Sequence, residues 1–194
     1  MGEQVAGVLL AAGQGKRLGT PKALVEIGGQ RLVDRGVALL AGGGASPVVV
    51  VTGAATVAVT GAATVHNPDW ATGMGSSLAA GLRALPVSSA AAVIALVDQP
   101  LIGAAAVERL IAAFRAGAGV AVATYGGSLR NPVLLARQHW PQVLAAAVGD
   151  AGARGFLRAH PELVTRVECG DTGSPDDVDT PEDLARVSQL LAAG

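Results

Sequence analysis

Unbroken apolar runs recur along this chain, each followed by a stretch with helical spacing, and that alternation limits the fold more than any other feature. Val5–Ala12 (VAGVLLAA), Val48–Val51 and Ala92–Val97 (AVIALV) lack the apolar–polar alternation of a half-solvated strand, so each is expected to be a strand covered on both faces. Shorter strands are expected near Val65, over Val120–Tyr125 and Pro132–Ala136, and at Val164–Cys169. Helical spacing marks Gln30–Leu40, Ser76–Leu85, Ala104–Ala116, His139–Val148 and Ala153–His160. A last helix opens at Thr180-Pro-Glu-Asp, with a capping threonine, a proline at the first position and acids in the first turn. Alternating βα units with buried strands predict an α/β fold of three layers: a mostly parallel sheet with helices on both faces. No linker interrupts the pattern, so one domain over residues 1–194 is expected.

Composition narrows the classes. At 51% hydrophobic the chain can bury a sizeable core, and with 3% aromatics that core must be aliphatic. A net charge of −1 gives no reason to expect a nucleic-acid or membrane-surface binder. No apolar run approaches a membrane span, and Glu3 sits where a signal peptide would be basic. The lone Cys169 excludes an internal disulfide framework and fits a reducing, cytoplasmic setting. An eight-residue tandem, VTGAATVA (Val51–Ala58) then VTGAATVH (Val59–His66), is too short for a solenoid and reads as a local duplication.

Of the 14 basic residues only two are lysines, Lys16 and Lys22, and both lie in the loop after the first strand, near Arg17. Lysine is a compact point charge suited to phosphate oxygens. In that loop (LAAGQGKRLGTPKAL, Leu10–Leu24), glycines at 13, 15 and 19 allow backbone N–H groups to turn inward around an anion. The spacing is not G-x-G-x-x-G, because Leu18 stands where the third glycine is needed. A Walker A loop is also ruled out, since no Gly-Lys-Ser/Thr follows, and Pro21 prevents an immediate helix.

Ligands of such folds sit at the carboxyl ends of the strands. Asp98, in VIALVDQP, is expected there, either in the crevice or as a turn aspartate. A second acidic segment, DDVDTPED (Asp176–Asp183), contains Glu182 and Asp183 as partners of the helix dipole, which leaves Asp177 and Asp179 for another role. Carboxylates from two distant segments meeting at one crevice suit Mg2+, a hard ion that takes a few carboxylates plus phosphate oxygens. The segment NPDWATGMGSSLAAGL (Asn67–Leu82) could bring Gly73, Gly75, Ser76 and Ser77 to a base or ribose, or could simply cap a helix. Trp70 reads equally as core, lid or stacking platform. His66, His139 and His160 lack metal-ligand spacing, and no serine nucleophile elbow is present.

These segments together resemble the molybdenum-cofactor nucleotidyltransferases, within the wider group of sugar-nucleotide and cytidylyl transferases. The likeness rests on L-A-A-G-x-G-x-R-x-G-x-x-K at Leu10–Lys22, the strand-end Asp98-Gln-Pro, and D-x-D-T-P-E-D at Asp177–Asp183. NPDWATGMGSSL and GDAGAR (Gly149–Arg154), with Leu10-Ala-Ala-Gly13 rather than L-A-G-G, look like the cytidylyl branch. The resemblance implies a Rossmann-like nucleotide-diphospho-sugar transferase fold. It implies nucleotide-binding residues Leu10, Ala11, Ala12, Gly13, Gln14, Gly15 and Lys16, with Gly75, Ser76 and Ser77 toward the base. It implies catalytic roles for Lys22 on the α-phosphate and Arg17 on the outer phosphates. Mg2+ would be held by Asp98 with Asp177 or Asp179, the analogy favouring Asp177. The implied reaction is transfer of CMP from CTP to the phosphate of a pterin cofactor, with a molybdenum hydroxylase as a downstream partner. Two departures from the family bear on the acceptor: Arg130-Asn131-Pro132 stands where Gly-His-Pro is frequent, and the tandem region is short of a helix. The chain is also similar to nicotine blue oxidoreductase-like proteins, which implies NAD(P)H-dependent reduction instead. A non-catalytic cofactor chaperone is a third reading.

Overall fold

The structure, a computed structural model, describes residues 3–193. The chain opens with β1 (Gln4–Leu10), whose loop leads to a small hairpin, β2 (Glu26–Ile27) and β3 (Gln30–Arg31), and then α1 (Leu32–Gly42). After β4 (Val48–Thr52) and β5 (Ala63–His66) come α2 (Met74–Ala84), β6 (Ser89–Leu96) and α3 (Ala104–Arg115). The remainder is β7 (Val120–Tyr125), β8 (Ser128–Ala136), α4 (Trp140–Ala146), α5 (Arg154–Ala159), β9 (Val164–Glu168) and α6 (Pro181–Ala193). Seven strands form one sheet in the order β5-β4-β1-β6-β8-β7-β9.

The mostly parallel sheet expected from the sequence is present. Leu10 lies opposite Val51 of β4 on one side and Leu96 of β6 on the other, both in parallel ladders. The exception is β8, antiparallel to both β6 and β7. Its direction follows from the turn: Gly126 and Gly127 both have positive φ (57° and 77°), the conformation of a two-residue hairpin, and Tyr125 pairs with Ser128 across it. Pro132, which cannot donate to a ladder, falls where the β7–β8 register shifts and just before β8 begins to pair with β6 at Val133.

Side chains of period two divide between the faces. Val5 and Leu9 of β1 join Ala91, Val93 and Ala95 of β6 beneath α1, α3 and α6. Ala6, Val8 and Leu10 join Ala92 and Ile94 beneath α2, α4 and α5. Small residues let two helices close on β1 from opposite sides: a Cβ on Gly36 of α1 would crowd Leu9, and one on Gly81 of α2 would crowd Val8.

The tandem is not repeated in three dimensions. Val51 and Val65 pack on the α2 face, whereas Val57 and Val59 pack on the α1 face, so equivalent positions meet different neighbours. Residues 53–62 cross from β4 to β5 without a helix. Element boundaries differ modestly from expectation: α2 begins at Met74, β6 at Ser89, and Arg137–His139 form a 3-10 turn before α4. The expected cap on α6 is reciprocal: Asp183 N–H donates to Thr180 Oγ1 (3.2 Å), and Thr180 N–H donates to Asp183 Oδ2 (3.0 Å).

Candidate active site

The chain leaves β1 for β4 and β5 on one side and later returns as β6 on the other. The crevice at the carboxyl ends of β1 and β6 is therefore the topological switch point at which open α/β sheets bind ligands. A cavity of about 350 Å³ opens there, within the range of small-molecule sites.

The loop after β1 forms its floor. Ala11 N–H still bonds to Val51, and Val97 N–H bonds to Leu10, so the sheet holds the start of the loop in place. Gly15 is at φ +63°, and a Cβ there would overlap the Thr20 carbonyl oxygen, so the tight turn requires glycine. Leu18 and Gly19 N–H groups both donate to the Gly15 carbonyl (2.9 and 3.0 Å). Pro21 then starts a 3-10 turn over Lys22–Leu24, which brings Lys22 back toward the strand ends. Leu10, Ala12, Gly13, Gln14, Gly15, Lys16 and Lys22 all line the cavity. Among the described residues, the backbone N–H groups of Gly13 to Arg17 serve no protein acceptor and remain available to an anion.

The Lys22 ammonium lies 2.5 Å from Asp98 Oδ2 and also bonds to Asp179 Oδ1. Arg17 approaches the other oxygen of Asp179, Nη2 to Oδ2, at 3.1 Å. Burial works against the lysine charge, but Asp98 and Asp179 outweigh it and raise the Lys22 pKa. The hydrogen bond from Lys22, above all, lowers that of Asp179. Asp177 behaves oppositely: burial first, and then the charge of Asp98, push its pKa up. Its carboxylate accepts a 2.9 Å bond from Gln99 Nε2, which ties the strand-end Asp98-Gln99 segment to the acidic segment before α6. The arrangement therefore holds two carboxylates on one ammonium and a third, Asp177, whose pKa burial and Asp98 raise despite the bond from Gln99 and the charge of Lys22.

Asp98 lines the cavity, whereas Asp177 and Asp179 do not: Asp179 is joined to it through Lys22, and Asp177 is bonded to Gln99. Among the described residues no three His, Cys, Asp or Glu side chains are gathered as a metal cage, and the positive charge between Asp98 and Asp179 is the lysine. The donors still suit Mg2+, which keeps most of its waters and takes one or two carboxylates beside phosphate. Asp177, raised by burial and by Asp98, is the group such a cation would relieve.

The wall is built by the segment entering α2. Asn67, 3% exposed, donates to Ser76 Oγ (2.8 Å) and Ser77 Oγ (3.0 Å) and accepts from Asp69 N–H (3.0 Å), an Asx turn that fixes the segment. Ser77 lines the cavity. Ser76 does not, since its hydroxyl bonds to the Gly73 and Asp69 carbonyls. Gly75 also packs away, where a Cβ would overlap the Ala147 carbonyl. Trp70 and Asp150 line the cavity too. Sequence reasoning gave Asn67, Gln99 and Asp150 no role. The Asn-Pro-Asp turn signal was the one visible clue to Asn67.

The profile of the MobA-like NTP transferase domain matches residues 7–164. The chain belongs to that family. This MobA-like transferase domain spans the first loop, Asp98 and the α2 entry, and its family chemistry is nucleotidyl transfer. A protein called nicotine blue oxidoreductase, from Paenarthrobacter nicotinovorans, is 41% identical over 94% of this chain and 96% of its own length. The molybdenum cofactor guanylyltransferase of Rhodobacter capsulatus is 28% identical over 97% of each chain. The crystal structure of a homolog of Mycobacterium tuberculosis Rv0371c, from Mycobacterium sp. strain JC1, superposes with a TM-score of 0.86 at 33% identity, covering 97% of both chains. Among the described residues, no helix of this MobA-like transferase is long and apolar enough to cross a membrane.

Proposed function

We propose that this nucleotidyltransferase moves CMP from CTP, with Mg2+, to the phosphate of a molybdopterin-type cofactor. The observation that carries the reading is the Lys22 ammonium held between Asp98 and Asp179 beside a glycine loop with free N–H groups. An acceptor phosphate oxygen attacks the α-phosphorus of the nucleotide. The new P–O bond forms as the bond to the bridging α–β oxygen breaks, and pyrophosphate leaves. A phosphate nucleophile is ionised near neutral pH, so no protein base is required, and positioning and charge neutralisation supply the acceleration.

In this reading the N–H groups of Gly13 to Lys16 cradle the β- and γ-phosphates. Lys22 leaves its two carboxylates for the α-phosphate, and Arg17 leaves Asp179 for the departing pyrophosphate. Asp98, with Asp177 or Asp179, would hold Mg2+, which offsets phosphate charge. The pterin acceptor is supported by the named guanylyltransferase relative, and the choice of cytosine by the Leu10-Ala-Ala-Gly13 sequence. A cytoplasmic setting fits the buried free thiol of Cys169.

The name of the 41% identical relative favours a second reading, reduction by NAD(P)H. A thermal-shift comparison separates the two. At a hundred times its dissociation constant a ligand stabilises by about 2.7 kcal/mol. We expect a Mg2+-dependent shift with CTP. A Mg2+-independent shift with NADPH and none with any nucleoside triphosphate would replace transfer by reduction.

A further inference from the structure

The cavity lining falls into two chemical halves. One is the charged loop with Lys22 and Asp98. The other, supplied by the Trp70 turn, the start of α2 and the turn at Gly149–Ala151, is mostly apolar, and besides the Trp70 indole its polar side chains are Ser77 and Asp150. Phosphates belong with the first half, which leaves the second for the base.

Ser77 and Asp150 are complementary. Ser77 Oγ is 4% exposed as a residue and already accepts from Asn67 Nδ2 at 3.0 Å, so its own proton is free to donate. Asp150 supplies a carboxylate, which can only accept. Asn67, Asp69 and Ser76 hold the α2 entry, and Gly73 lets the turn press onto it: a Cβ on Gly73 would lie 2.8 Å from Asp150 N and overlap the Gly149 carbonyl. The backbone of Asp150 is thereby packed directly against the α2 entry. Among the described residues its side chain forms no ion pair.

We infer that Asp150 reads the nucleobase, accepting from an amino group on its edge and repelling a carbonyl oxygen at the same place. The inference rests on the nucleotidyl-transfer reading and adds a specificity residue to that site. A carboxylate selects cytosine, whose exocyclic amine donates, over uracil, whose O4 is an acceptor. The same chemistry would select guanine, with N–H donors at N1 and N2, over hypoxanthine, which lacks the amine. Discrimination of this kind comes from leaving polar groups unpaired with the wrong partner.

The test is the dissociation constants of CTP, UTP, GTP and ITP, with Mg2+, for wild type, Asp150→Asn and Asp150→Ala. Asp150 is exposed, so both variants should fold, which circular dichroism checks. We expect wild type to prefer the amino-bearing member of one pair, CTP over UTP or GTP over ITP, by at least tenfold. Asp150→Asn, which can donate to a carbonyl, should cut that preference about tenfold, and Asp150→Ala should reduce it less. An unchanged ratio in both variants, or no preference in wild type, overturns the role of Asp150 and leaves nucleotidyl transfer standing. Failure of all four nucleotides to bind wild type overturns both.

Discussion

Replacing Lys22 by methionine removes the ammonium and keeps the stem, so the effect isolates charge. The Lys22 and Asp98 side chains are 17% and 18% exposed, and Asp179 is 32% exposed. Stripping one partner from a buried pair costs about 3–5 kcal/mol, whereas a surface pair is worth roughly 0.2–1 kcal/mol. This cluster lies nearer the buried limit, but Arg17 stays to compensate Asp179. We expect a loss of about 2–3 kcal/mol, which in a chain of this length lowers Tm by roughly 5–10 °C. Millimolar Mg2+ should then restore more stability to Lys22→Met than it adds to wild type, because the cation enters where the ammonium stood. Turnover should fall about 10²–10³-fold, as for the loss of one transition-state donor. Calorimetry with and without Mg2+, and pyrophosphate release, check these points. A Tm within about 1 °C of wild type would mean that the ammonium does not hold the two carboxylates, and an equal Mg2+ gain in both proteins that the cation does not enter where it stood.

Asp177→Asn should raise stability by up to ~1 kcal/mol while lowering activity, because the ionised carboxylate is disfavoured by burial and by Asp98. Urea unfolding and turnover measure the two effects, and a loss of stability would contradict the electrostatics. Gly15→Ala places a side chain at φ +63° against the Thr20 carbonyl. It should cost about 1–3 kcal/mol and weaken nucleotide binding, read by calorimetric titration. The ion cluster should also shape pH dependence. Lys22, raised in the fold, contributes fully below its ordinary 10.5 and loses the contribution as pH rises through its folded value. Asp179, lowered, contributes fully above its ordinary 3.8 and loses the contribution as pH falls through its folded value. In urea titrations Lys22→Met should lack the alkaline loss that wild type shows.

Much of the fold was legible in the sequence because buried strands leave continuous apolar runs and helices leave a different period. The mostly parallel sheet was expected, but not that β8 is its antiparallel strand, although Gly126-Gly127 between two apolar stretches is a hairpin signal. In the site, the first loop could be read because its lysines and glycines are local. The bond from Lys22 to Asp179 spans 157 positions, and no local pattern shows that one ammonium would hold acids from two segments. Gln99 and Asp150 fall inside motifs that the resemblance used, but the partner of each, Asp177 for Gln99 and the α2 entry for Asp150, is distant in sequence and only folding supplies it. Gly75 and Ser76 illustrate the converse: residues typical of a ligand loop that are consumed by packing against Ala147 and by bonds to Gly73 and Asp69.

The most direct test of nucleotidyl transfer is a single-turnover assay with α-labelled CTP, Mg2+ and the phosphorylated pterin. The label should move to the pterin as one pyrophosphate appears per transfer, and Lys22→Met should slow both together. Pterin bound with neither pyrophosphate nor label transfer, from CTP or from GTP, would contradict it.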